Sequence, residues 1–254
     1  MAASSAAEKY DLSKKAYVLV LHHHQYTHSL ADRKGSTVDL EVIKDFFRAY
    51  RTEPDGLDIH ENLSLLKVRL LMDGIYQKDF SAYSCLIVII MSHGAENDTI
   101  QADIYYNSKN ELVRDVYFLD EDVVEKVAMN RTLDGKPKIF IVNACRGNDR
   151  VEVDSAVRRD RYNNSDIIRF QSTFEGHVSY RNTDTGSFFV KRFFEELRKN
   201  ENLDIYDLNR KLNASQTGKK NYIQNPTMSN TLTKRLIFAD LRKQNLPDYD
   251  LLSD

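Results

Sequence analysis

Cysteine is scarce in this 254-residue chain: only Cys85 and Cys145 occur, and neither belongs to a CxxC pair. That argues against a disulfide framework and against a structural thiolate zinc site. Neither sign of charge is in excess, with 36 Lys and Arg against 38 Asp and Glu, so nothing points to a nucleic acid or a membrane surface as partner. Long apolar runs are missing too. The longest, Cys85 to Met91, has seven residues, far short of the roughly 20 that cross a bilayer. MAASSAAEKYDLSKK at the start has no apolar core of a secretion signal. There is no GxGxxG, and GKPK (135–138) lacks the glycine spacing and hydroxyl of a phosphate loop, so a nucleotide-binding α/β protein is a poor reading and no cofactor is expected. Internal repeats and low-complexity tracts are absent as well. Together these features point to a reduced, cytoplasmic setting in which a lone thiol stays free.

What is present is a strand–helix alternation. AYVLVLH (16–22), CLIVIIM (85–91) and KIFIVNA (138–144) are short, continuous apolar runs rich in β-branched residues, the pattern of strands covered on both faces. Between them, STVDLEVIKDFFRAY (36–50) opens on a Ser/Thr cap and sets Val38, Val42, Phe46 and Ala49 on one stripe. Further helices are predicted over 64–76, from about Asp120, over 186–200 and over 204–213. IIRFQSTF (167–174) and TLTKRLIF (231–238) read as strands. The expected fold is α/β, a mainly parallel sheet of about six strands with helices on both faces and right-handed crossovers. NDRVEVDSAVRRDRYNNSD (148–166) breaks this texture: nine charges in nineteen residues, without helical or strand period, predict an exposed loop.

Under an open parallel sheet, ligands gather at the carboxyl ends of the strands. The second buried strand runs into Ser92-His93-Gly94 and the third into Asn143-Ala144-Cys145-Arg146-Gly147. If those strands are neighbours, His93 and Cys145 meet. A thiol needs such an imidazole because the thiolate is the nucleophile and the departing amine needs a proton. Main-chain N–H groups of Gly94 and Cys145 would face a developing oxyanion, glycine allowing close approach. A cysteine at a strand end is more often a small buried hydrophobe, and a histidine there a cap; it is the pairing that carries weight. Cys85, at the opposite end of its strand, is assigned to the core.

These residues resemble the caspase family, across nearly the whole chain. SHG (92–94) looks like the family's His-Gly motif, and GKPKIFIVNACRG (135–147) like its nucleophile loop, the histidine lying 52 positions upstream. Arg33-Lys34-Gly35, Ser179-Tyr180-Arg181-Asn182, Gly186-Ser187-Phe188-Phe189, and Pro226 with Thr231-Leu232-Thr233-Lys234 are further matches. The resemblance implies a cysteine endopeptidase cutting protein chains after aspartate in cell death or related signalling. Arg33 and Arg181 would grip the aspartate carboxylate, since two guanidiniums bind one carboxylate by charge-assisted bonds. Tyr180 would wall the next subsite, Ser179, Val178 and Phe188 would border the groove, and Asn182 would contact a residue further upstream. Substrate would pair with the main chain of Arg181.

The same resemblance divides the chain into a short segment (1–15), a large-subunit region (16–154) and a small-subunit region (155–254), joined by the linker at about 148–166. Processing is expected after Asp154, within Val151-Glu152-Val153-Asp154-Ser155, with Asp160 a weaker candidate. It implies a homodimer of large/small pairs joined through TLTKRLIF, and inhibitor or activator proteins as further partners. With no recruitment domain before the first strand of this sequence, a full-length initiator is not the expectation. One departure stands out: Asn143 replaces the family's glutamine, which helps the arginines hold the substrate carboxylate. That substitution motivates a rival reading, a catalytically weak paralogue that binds and regulates another caspase. His22, His23, His24 and His28 invite a metal reading. Only His22 and His24 can share a strand face, and no carboxylate or cysteine lies at a convincing spacing, so no metal site is expected.

Overall fold

The computed structural model describes residues 8–54, 56–147, 163–214 and 224–244. In chain order its strands are β1 (Lys15–His22), β2 (Asp58–Glu61), β3 (Tyr83–Met91), β4 (Gly94–Ala95), β5 (Thr99–Tyr106) and β6 (Leu112–Phe118). They continue with β7 (Lys138–Asn143), β8 (Ile167–Gln171), β9 (Arg181–Asn182), β10 (Gly186–Ser187) and β11 (Thr227–Asn230). The helices are α1 (Ser36–Phe47), α2 (Leu65–Gln77), α3 (Glu125–Ala128), α4 (Phe188–Lys199) and α5 (Ile205–Ala214).

Six strands form the central sheet in the order β11-β8-β7-β3-β1-β2. All neighbours are parallel except β11, which runs antiparallel to β8. The three most apolar strands occupy the middle because only there are both faces covered. Side-chain alternation then sorts each strand between two cores. Val18, Val20, Ile87, Ile89, Ile139 and Ile141 pack with α1, α4 and α5; Leu19, Leu21, Val88, Ile90, Phe140 and Val142 pack with α2 and α3. Each such side chain, fully buried, contributes about 1.5–3 kcal/mol. The expected six-stranded α/β architecture with helices on both faces is the observed one.

Several boundaries differ from expectation. The buried stripe of α1 is Ser36, Asp39, Leu40, Ile43, Phe46 and Phe47; Val38, Val42 and Ala49 are only half-buried. The stripe is rotated toward the larger apolar side chains Leu40, Ile43, Phe46 and Phe47, whose burial outweighs that of the valines, and Asp39 lies on the same buried side. The segment 231–238 is not a strand. The closing strand is β11, four residues earlier, while Leu236, Ile237 and Phe238 are buried as irregular chain between isolated bridges and a 3₁₀ turn. β8 ends at Gln171, short of the predicted 174. Near Asp120 a π-helical turn over Leu119–Val124 precedes the short α3, and Gly186–Ser187 form a strand before α4 begins. The linker's last residue is also not exposed: Asp166 is buried and accepts hydroxyl hydrogen bonds from Tyr10 and Thr233, each at 2.6 Å. A small antiparallel sheet, β4-β5-β6, had no sequence signal because its strands are polar and part-exposed. Among the described residues no helix is long and apolar enough to cross a membrane.

Candidate active site

The register of the central strands assembles the site. Met91 at the end of β3 pairs with Asn143 at the end of β7; each strand runs on two residues past that pair, to His93 and to Cys145. Both residues line two adjoining cavities of about 460 and 290 Å³. The His93 imidazole places Nε2 2.8 Å from the Ala31 carbonyl oxygen. A carbonyl only accepts, so Nε2 carries the hydrogen and Nδ1 keeps its lone pair. Burial pushes this imidazole down to about 4, opposed by the Ala31 hydrogen bond and reinforced by the nearby Arg33 charge. The ring is therefore neutral, a base, at physiological pH. Its main chain is clamped: the N–H donates to the Tyr26 hydroxyl at 3.2 Å, and the carbonyl accepts from Gln101 N–H at 3.0 Å.

Cys145 is half-buried, and its Sγ accepts the Ser179 N–H at 3.4 Å. Arg146 anchors the loop that carries it: the guanidinium donates to Asp98 at 2.7 Å, a carboxylate that also takes Gln171 at 2.8 Å and Arg169 at 3.3 Å. Gly94 lies against this loop. A Cβ there would sit 2.5 Å from the Cys145 carbonyl oxygen and 2.9 Å from the Ala144 Cβ. Only glycine permits that approach.

The smaller cavity is walled by two guanidiniums, Arg33 and Arg181. Arg33 is 3% exposed. Its Nη1 donates to Ser36 Oγ at 2.8 Å and to the His23 carbonyl at 3.3 Å, while Nε is buried without a partner. Burial, then the Arg181 charge, lowers Arg33 to about 10, so it stays cationic near pH 7. Arg181 donates through Nε to the Lys34 carbonyl at 2.9 Å. The nearby buried carboxyl is Asp39, which accepts the Ser187 N–H at 2.6 Å and hydroxyl at 2.5 Å. Two cations against one carboxyl leave the cavity electropositive.

Asn143 is committed to the serines. Its Nδ2 donates to Ser187 Oγ at 2.8 Å, and its Oδ1 accepts from Ser179 Oγ at 3.0 Å. Gln224, 1% exposed, continues the chain, donating to Ser179 Oγ at 3.3 Å and accepting the Tyr180 N–H at 3.0 Å. Sequence reasoning missed Tyr26, Ala31, Ser36, Asp39, Asp98 and Gln224; apart from Ser36, which holds Arg33 three residues away, they act through partners remote in sequence.

Of the residues singled out in the sequence, Arg33, His93, Asn143, Cys145, Val178, Ser179, Tyr180 and Arg181 line the smaller cavity, and Gly94 lines the larger. Asn182 does not join them; it is exposed, and its Oδ1 accepts the N–H groups of Asp184 and Thr185 to form a tight turn. Phe188 opens α4 half-buried and lines neither cavity. Asp154 and Asp160 lie outside the described residues. The absence of a third metal ligand does not hold up: β1–β2 pairing sets Glu61 beside His22, 3.0 Å between Nδ1 and Oε1.

The family model for the caspase domain matches residues 15–237, and the chain belongs to the caspase family. Among curated relatives, caspase-1 of Spodoptera frugiperda is 28% identical over 192 residues, 71% of this chain and 60% of that protein. Caspase-3 of Bos taurus is 29% identical over 178 residues, 67% of this chain and 60% of that protein. The matches thus span about 60% of the relatives' length. The crystal structure of caspase-1 from Spodoptera frugiperda superposes with a TM-score of 0.74 at 22% identity, covering 97% of this chain and 98% of that one, a likeness of fold.

Proposed function

We propose that this chain is a cysteine endopeptidase that hydrolyses proteins after aspartate. The observation that carries the reading is a single cavity bordered by Cys145, His93, Arg33 and Arg181. In this reading the substrate aspartate enters that cavity, where the carboxylate completes the unpartnered Arg33 Nε and meets Arg181. His93 Nδ1 takes the Cys145 proton as sulfur attacks the scissile carbonyl, and main-chain N–H groups of Gly94 and Cys145 stabilise the oxyanion. The imidazolium then protonates the leaving amine. Water, deprotonated by the same imidazole, cleaves the thioester and restores the thiol. The leaving chain fits the 460 Å³ cavity on the other side of the pair.

The linker is proposed to be cut after Asp154, giving large and small subunits, and the protein to act in cytoplasmic proteolytic signalling of the cell-death type. Dimerisation would use β11, the sheet's edge strand, rather than 231–238. One observation favours the regulator reading: both ends of the Asn143 amide are taken up by Ser179 and Ser187 instead of the pocket. Turnover of a fluorogenic Asp-ending peptide by the wild-type chain and by Cys145→Ala separates the two. Turnover lost in the variant supports the enzyme; none in either supports the regulator.

A further inference from the structure

Behind the Arg33 pocket, at the carboxyl ends of β1 and β2, three ligand-type side chains converge. His22 closes β1, His24 follows two residues on, and Glu61 closes β2 opposite His22 in the parallel register. Glu61 Oε1 lies 3.0 Å from His22 Nδ1 and 3.1 Å from His24 Nε2, and all three ligand atoms fall within 4.8 Å of one another. The two imidazoles stack, with centroids 4.4 Å apart and planes 20° apart. A tetrahedral zinc with bonds of about 2.0–2.2 Å needs nitrogen and oxygen ligands roughly 3.3 Å apart.

Hydrogen bonds around the trio fix which lone pairs point inward. Asn62 Oδ1 accepts the main-chain N–H groups of His24 at 2.8 Å and Gln25 at 2.9 Å, which sets the amide's orientation. Its NH₂ group therefore faces His24 Nε2 at 3.2 Å, and that nitrogen is an acceptor. An acceptor nitrogen and a carboxylate oxygen 3.1 Å apart need a proton or a metal ion between them. The displaced Asn62 amide keeps a second acceptor, Gln25 Oε1, at 3.4 Å. On the far side, His22 Nε2 sits 2.9 Å from Ser36 Oγ, the outer hydrogen bond that commonly orients a ligating imidazole.

We propose that His22, His24 and Glu61 form a site for a divalent transition metal of the zinc class, with a fourth position open to water. Two imidazoles and one carboxylate suit zinc better than calcium or magnesium, which prefer all-oxygen sets. Solvent can reach the site, since the Glu61 side chain is 45% exposed. The site also lies two hydrogen bonds from the recognition pocket, because Ser36 Oγ accepts from Arg33 Nη1. It stands whether or not the chain is a protease.

The test uses the full chain carrying Cys145→Ala, so that the thiol cannot capture metal, dialysed against chelator and titrated with Zn²⁺ by calorimetry. One equivalent should bind. Glu61→Gln and His24→Gln, each on that background, should weaken binding by roughly 100-fold or more, with far-UV circular dichroism confirming the fold; because Glu61 is largely at the surface, its isosteric variant should fold. Failure of the Cys145→Ala chain to bind zinc, or an unchanged affinity in either folded variant, overturns the assignment.

Discussion

The two ends of the central sheet treat one side chain in opposite ways. Cys85, near the amino end of β3, is fully enclosed, and burial pushes its thiol up to about 12. Cys145, just beyond the carboxyl end of the neighbouring β7, is half-buried where two cavities meet. Other polar groups follow the same division. At the amino end Lys138 spends its ammonium on the carbonyls of Leu133 at 3.2 Å and Lys136 at 3.1 Å, and Asp166 Oδ1 accepts two hydroxyls. At the carboxyl end Arg33 Nε has no partner and His93 keeps a basic nitrogen. For these groups the carboxyl end of the parallel strands is where atoms are left for chemistry.

Replacing each cysteine sharpens that contrast most. Cys145→Ala should lower turnover of an Asp-ending peptide on the order of 10⁴-fold or more with the melting temperature nearly unchanged; retention of turnover would place the nucleophile elsewhere. Next comes recognition at the same end. Arg33→Gln should cost about 3 kcal/mol, roughly 10²-fold in kcat/KM for that peptide, and a loss below about threefold would free Arg33 of that role.

Acid should attack the carboxyl end selectively. Burial holds His23 at about 3 and His93 at about 4, both below the ordinary histidine value of about 6.5. Between these values the unfolded chain binds protons that the folded chain refuses, so stability is full above about pH 6.5 and drains as pH falls toward 4. Melting curves across that range should show it; a flat or rising melting temperature would contradict it. Smallest is Cys85→Ser, which places a hydroxyl in an apolar site at a cost of about 1–3 kcal/mol. The melting temperature should drop by several degrees (roughly 2–4 °C per kcal/mol) with kcat unchanged. Should kcat fall instead, the amino end would be less inert than its packing implies.

Much of this was legible in the sequence because the signals are local. Three apolar runs announced the central strands, and strand polarity put His93 and Cys145 just past the ends of two of them; both line one cavity because β3 and β7 are neighbours. What could not be read depends on register and on distant partners. His22 and Glu61 are 39 positions apart, and only β1–β2 pairing makes them neighbours. Asp39 lies on the buried side of its helix beside Leu40 and Ile43, and its carboxyl accepts two hydrogen bonds from Ser187, 148 positions away. The closing strand was misplaced because TLTKRLIF is the more apolar octapeptide, yet those apolar side chains are buried in irregular chain, and the polar Thr227–Asn230 makes the ladder.

The pairing of β7 with β8 reaches across the linker. Ile139 sits against Ile168 and Ile141 against Phe170, with Phe193 stacked edge-on to Phe170 from α4. A peptide bond broken anywhere between Gly147 and Asn163 therefore leaves two polypeptides that share one sheet and one oily interior. Gel electrophoresis in detergent would count two fragments. Gel filtration in buffer would count one particle, held at the seam by ladder bonds rather than by the chain.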